Sequence, residues 1–175
     1  SAPNVRKRVL VIPNPTRRAT LSLLTGAATL ALAPTSRAAP SPIIAAPPPD
    51  RELMVPVPGG RIYVRVNGDL GARRPPLLMA HGGPGGSHAS NLPAIALSND
   101  RAIVLYDQLD CGRSDAPGDP GNWTVPCFVS EIDPIRQALN LDRLHLLGHS
   151  WGGTLALEYG ARSPEGLASL ILQGP

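Results

Sequence analysis

Ser150 lies at the centre of "GHSWG", a Gly-x-Ser-x-Gly set between the apolar run "RLHLL" and the helix-forming stretch "GGTLALEYG". A serine on a sharp strand-to-helix turn exposes its hydroxyl, provided the residues two before and two after carry no side chains that would collide. Both of those residues, Gly148 and Gly152, are glycine. The helix behind the serine points its amino end at the same spot, where N–H groups and the helix dipole favour a developing negative charge. Ser150 is therefore the expected nucleophile of an acyl-transfer reaction.

Two further loops carry the same kind of signal. "HGGPGGSH" follows the apolar run "PPLLMA", and its glycines let the backbone approach a substrate carbonyl and offer N–H groups to an oxyanion. "DQLDCGRSDAP" follows "RAIVLY" and has the polar, glycine-bearing character of a loop that lines a site. A serine nucleophile also needs a base within hydrogen-bond reach and an acid to orient it. The four histidines fit that role poorly. His145 lies within a strand, His149 adjoins the serine on the turn, and His81 and His88 belong to the glycine loop. Asp107 ends a strand near the site, and a structural hydrogen-bonding role is the expectation for it.

The triple "HGGPGGSH", "YDQLDCGRS" and "GHSWGGTLALEYG", in this order and spacing, resembles the proline iminopeptidase family of α/β-hydrolases, which also includes amino-acid amide hydrolases. The resemblance covers roughly residues 51–175, the first half of the family's catalytic domain. It implies an acyl-enzyme on Ser150, with the oxyanion held by the backbone N–H groups of Trp151 and Gly83. It also implies release of an N-terminal proline or another amino acid from small peptides or amides, without a cofactor. Two departures stand out: Leu109-Asp110 replace a common Arg-Gly, and Pro134 is unusual in its helix. In such hydrolases the acid and the histidine follow the nucleophile on later loops. The resemblance thus implies an N-terminal fragment, truncated after the strand that follows the nucleophile helix and inactive by itself. The alternatives are an amidase or esterase on the same fold, or a catalytically inactive truncated product.

These loops need a scaffold, and the apolar pattern describes one. "ELMVPV" and "RIYVRV" around Gly59-Gly60 read as a hairpin, with Asn67-Gly68 closing the second strand. "PPLLMA", "RAIVLY", "RLHLLG" and "LASLIL" are nearly continuous apolar runs, as expected of strands buried on both faces of a parallel sheet. Between them lie stretches of helical spacing, such as Phe128, Ile132, Ile135 and Leu139. The expected fold class is α/β, a mostly parallel sheet with crossover helices. Pro134 falls inside the first such helix, so either a kink or a fresh start capped by Ser130 and Asp133 is expected there.

Composition sets the remaining bounds. With 175 residues, 42% hydrophobic and 17% charged, the chain suits one globular domain. Its basic residues are unevenly placed: residues 1–38 hold six and no acid, whereas residues 39–175 hold ten arginines and all 13 acids, a net −3. No basic stripe remains to bind nucleic acid, and six aromatic residues are too few to stack bases. Residues 1–38 read as an export signal of twin-arginine type. Arg17-Arg18 precede a 15-residue apolar run, too short for a membrane span, and Ser36 and Ala38 suit a cleavage site. The expected location is accordingly periplasmic or secreted. Residues 39–50, Pro and Ala rich, read as an extended linker before the domain at 51–175. Cys111 and Cys127 are expected as free, partly buried thiols, and the histidines and cysteines lack metal-ligand spacing.

Overall fold

Pro58-Gly59 makes the two-residue turn of the first hairpin, Gly59 at φ +91° where only glycine is unstrained. It folds β1 (Arg51–Val57) back on β2 (Gly60–Asn67), antiparallel, with Val57 opposite Gly60. The computed structural model describes residues 46–174. The expected export signal at 1–38 and the linker up to residue 45 lie outside the described residues. The last linker residues run beside β2: the carbonyls of Pro47 and Pro48 accept from the Arg65 guanidinium and the Asn67 amide.

The four continuous apolar runs become β3 (Leu77–Ala80), β4 (Ile103–Tyr106), β5 (Leu144–His149) and β6 (Leu167–Gln173). Every residue of β3 and β4 is buried, which is why neither run alternates. The sheet order is β1-β2-β4-β3-β5-β6, and β4, β3, β5 and β6 are mutually parallel while β2 joins β4 antiparallel. This is the mostly parallel α/β sheet that the pattern predicts. Because β4, β3 and β5 are neighbours, the loops leaving their carboxyl ends emerge side by side, and those are the three loops singled out above.

At Pro134 the chain takes the fresh start rather than the kink. The stretch containing Phe128, Ile132, Ile135 and Leu139 is not one helix but two, α1 (Val125–Val129) and α2 (Ile132–Ala138), with all four residues buried. Pro134 is the third residue of α2, in the first turn, where a helix has no carbonyl waiting for its missing N–H. No capping box forms: Ser130 Oγ donates back to the Cys127 carbonyl, and Glu131 occupies the cap position without a side-chain cap bond. Between β3 and β4 the chain makes a 3₁₀ segment, His88–Leu97, that contains Pro93. The last helix, α3 (Trp151–Ala161), starts directly after Ser150 and buries Leu155, Ala156 and Tyr159 against the sheet. Among the described residues no helix is long and apolar enough to cross a membrane.

Candidate active site

Ser150 joins β5 to α3 in a single residue, at φ +50° and ψ −119°. A non-glycine residue there is strained by roughly 1–3 kcal/mol, which the surrounding structure must hold in place. It does so with backbone bonds: Ser150 N–H donates to Gln173 O at 2.9 Å, and Gly153 N–H to Ser150 O at 2.7 Å. The two flanking glycines are required by contact. A Cβ on Gly148 would fall into the Gly152 carbonyl, and one on Gly152 into the Ala80 carbonyl of β3. Trp151 is the first residue of α3, so its N–H belongs to the helix end that lacks intrahelical partners.

The glycine loop packs directly on this turn. A Cβ on Gly82 would lie 2.9 Å from His149 Nδ1 and 3.2 Å from Ser150 Cβ. Gly83, the next residue, is exposed at φ +136°, and its own Cβ would strike the amide nitrogens of Gly85 and Gly86. The third loop is tied to the glycine loop through Asp107, whose side chain is fully buried. Its carboxylate accepts from His88 N–H at 2.6 Å, from His88 Nδ1 at 2.9 Å and from Arg113 N–H at 2.8 Å. The expected structural role of Asp107 is what these bonds describe. Arg113 also lies 4.0 Å over the Tyr63 ring and pairs with Glu52, which fastens the same loop to the hairpin.

Three of the four histidines, His81, His88 and His145, are committed elsewhere. His81 Nδ1 is 2.8 Å from the Gly82 carbonyl, a bond it can only donate, so its Nε2 is the acceptor for Gln108 N–H at 3.1 Å. Burial lowers the His81 pKa and keeps the ring neutral. His88 is held by Asp107, and His145 meets Ser169 Oγ at 2.7 Å. Among the described residues no side chain hydrogen-bonds Ser150 Oγ.

Residues 75–175 match the family model described as alpha/beta hydrolase fold. The chain belongs to that family. A proline iminopeptidase of Heyndrickxia coagulans is 47% identical over 124 residues, which cover 71% of this chain and 43% of that protein. The structure called VinJ matches with a TM-score of 0.68 at 37% identity, covering 71% of this chain and 44% of that one. The proline iminopeptidase of Mycobacterium smegmatis matches with 0.63 at 37% identity, covering 69% and 42%. The resemblance to proline iminopeptidases is therefore borne out over the N-terminal part. The chain spans less than half the length of these relatives.

Two residues of the α/β-hydrolase site escaped the sequence reading. Gln108 bridges the loops: its Nε2 donates to the His81 carbonyl at 3.0 Å and its Oε1 accepts from Trp151 Nε1 at 3.1 Å. Trp151 in turn meets Phe128 edge to face, centroids 6.0 Å apart. These rings, with Pro84, Leu109 and Trp123, line a cavity of about 340 Å³ that reaches Trp151, the residue after Ser150. Cys111 also faces it, but burial pushes its thiol up to about 11, so it stays protonated and is no rival nucleophile at neutral pH. Cys111 and Cys127 are both free.

Glu131 is the other. It is buried in the break between α1 and α2, accepts from Leu109 N–H at 3.0 Å, and its second oxygen has no partner. Burial pushes its pKa up to about 8, against an ordinary 4.5. Between those values the folded chain binds a proton that the unfolded chain has lost, so this contribution to stability is full below the unfolded pKa and is lost as pH rises through about 8. His81, lowered by burial, acts the other way, and only below its ordinary 6.5. Urea midpoints are thus expected to fall as pH climbs from 6.5 through 8, and to stay level across that window in Glu131→Gln. Parallel curves for the two proteins would assign the decline to another group.

Proposed function

We propose that this chain carries the nucleophile half of a serine hydrolase of proline iminopeptidase type, which releases an N-terminal proline or another amino acid from small peptides or amides. The observation that carries the reading is the strained Ser150 between β5 and α3, with the glycine loop packed against it. In this reaction Ser150 Oγ attacks the scissile carbonyl as a base takes its proton. The N–H groups of Trp151 and Gly83 receive the oxyanion, the amine leaves with a proton, and water then releases the acyl group from the serine. We place the base and its orienting acid outside the described residues, because His81, His88 and His145 bond to other groups and no side chain among the described residues hydrogen-bonds Ser150 Oγ.

Labelling of the active enzyme, base included, with a fluorophosphonate followed by peptide mapping tests the assignment: adduct on Ser150 is expected, and adduct on Cys111 or another serine sinks it. An ester-cleaving enzyme on the same fold would also label at Ser150, so a proline arylamide and a matched proline ester separate the two readings. We further propose that residues 1–38 direct export by the twin-arginine route, on the strength of Arg17-Arg18 and the apolar run behind them. Changing both arginines to lysine is expected to leave the protein in the cytoplasm; unaltered export of that variant would remove the proposal.

A further inference from the structure

We infer that Asp110 reads the free amino group of the substrate, its carboxylate pairing with the ammonium of the N-terminal residue at the rim of the aromatic cavity that Trp151 and the glycine loop border. The inference rests on the aminopeptidase reading above and adds to it the group that recognises the amine.

Asp110 is the one charged side chain among those that line the cavity. It sits at φ +61°, in the left-handed region that aspartate tolerates better than most side chains, so the turn admits a carboxylate at this position. Its oxygens accept from Gly118 N–H and from Trp123 Nε1, each at 2.8 Å. Both donors are neutral. Among the described residues no arginine, lysine or histidine pairs with Asp110, whereas Asp100, Asp107 and Asp115 each have a cationic or imidazole partner. A carboxylate has about four acceptor positions, of which two are taken here, and the negative charge is left without a counter-charge.

The surroundings suit the same ligand. Trp123 and Trp151 both border the cavity, and indoles attract a cation lying over their rings. The cavity holds about 340 Å³, ample room for the first residue of a peptide or amide. The substrate class that fits is a peptide or amide whose first residue has a small apolar body and an unblocked amine, including the secondary amine of a proline ring. N-acylated substrates lack the partner that Asp110 requires.

The chain contains two tryptophans, and both line this cavity, so intrinsic emission reports on its occupant directly. The full chain is titrated with L-prolinamide and with cyclopentanecarboxamide, ligands of the same ring size that differ in the charged amine. Prolinamide is expected to bind roughly five- to tenfold more tightly, the combined effect of a part-exposed ion pair and a cation–π contact. High salt is expected to erode that preference. In Asp110→Asn the preference is expected to shrink to the part that the indole rings alone supply, and to lose its salt dependence, while cyclopentanecarboxamide binds as before. Equal binding of the two ligands by the unaltered chain, or no response to either up to their solubility, overturns the inference. So does an Asp110→Asn variant that weakens both ligands alike, which would make Asp110 a clasp for Trp123 alone. Should that variant fail to fold, the preference of the unaltered chain and its salt dependence decide the matter. Fluorophosphonate labelling is independent of this test. Discrimination with no labelling of the active enzyme leaves amine recognition standing and removes the hydrolase reading, and the reverse pattern does the opposite.

Discussion

Replacing Ser150 with alanine in the active enzyme is expected to lower amide turnover by on the order of 10⁶ and to abolish capture of a fluorophosphonate. Removal of the hydroxyl eliminates the covalent route, and the backbone N–H groups of Trp151 and Gly83 would then act only on uncatalysed attack by water. An oxyanion site of that kind retains about 10³ to 10⁴ over the reaction in water. The companion substitution Ser150→Gly separates chemistry from folding. It loses the same activity, but it also relieves the φ of +50° and is expected to raise stability by roughly 1 kcal/mol. Turnover rates and urea midpoints of the three proteins check both statements. Retention of more than a small fraction of activity in either variant would mean that the turn has been assigned the wrong role.

Gly148→Ala is expected to be severely destabilising. The new methyl would fall into the Gly152 carbonyl, a backbone atom that no rotamer change can move. To make room, β5 and α3 must separate, and Gly152 in turn is pressed on the Ala80 carbonyl of β3. Overpacking of this kind between backbones is expected to exceed about 4 kcal/mol, well above the ordinary range for point changes. Gly118→Ala is the control. It has a positive φ as well, but nothing lies within 4 Å of its Cβ, so it is expected to lose only about 1 kcal/mol. Soluble yield and denaturant midpoints of the two variants distinguish a steric from a conformational cost.

The strands were legible in the sequence because their physics is local. A run such as "RAIVLY" has no polar face to offer water, which leaves it only the middle of a sheet, and β4 lies there. Gly148, Ser150 and Gly152 were legible for a similar reason, since the sharp turn imposes its own residue types. Pro134 was harder: its ring forbids a helix interior but suits a first turn, and only the break at Ser130-Glu131 decides which applies. Gln108 and Glu131 could not have been singled out. Each is a lone polar residue whose role depends on partners 27 and 22 positions away, His81 and Leu109, and no spacing rule links such pairs. The same holds for His88 and Asp107, 19 residues apart and joined by the sheet order rather than by a motif.

The carboxylate of Asp107 has a consequence for how this site can change over generations. It occupies the space where a side chain at Gly112 would sit, and the same oxygens bind His88 on the neighbouring loop. An exchange at Gly112 therefore displaces the group on which His88 depends, and an exchange at His88 takes the one side-chain partner from a buried carboxylate and leaves it the backbone N–H groups of His88 and Arg113. Neither loop can vary freely while the other stays fixed, so their effects on fitness are epistatic rather than independent. A chimaera that takes only one of the two loops from a distant homologue inherits a broken pair. One that takes both, together with the aspartate between them, inherits a working unit.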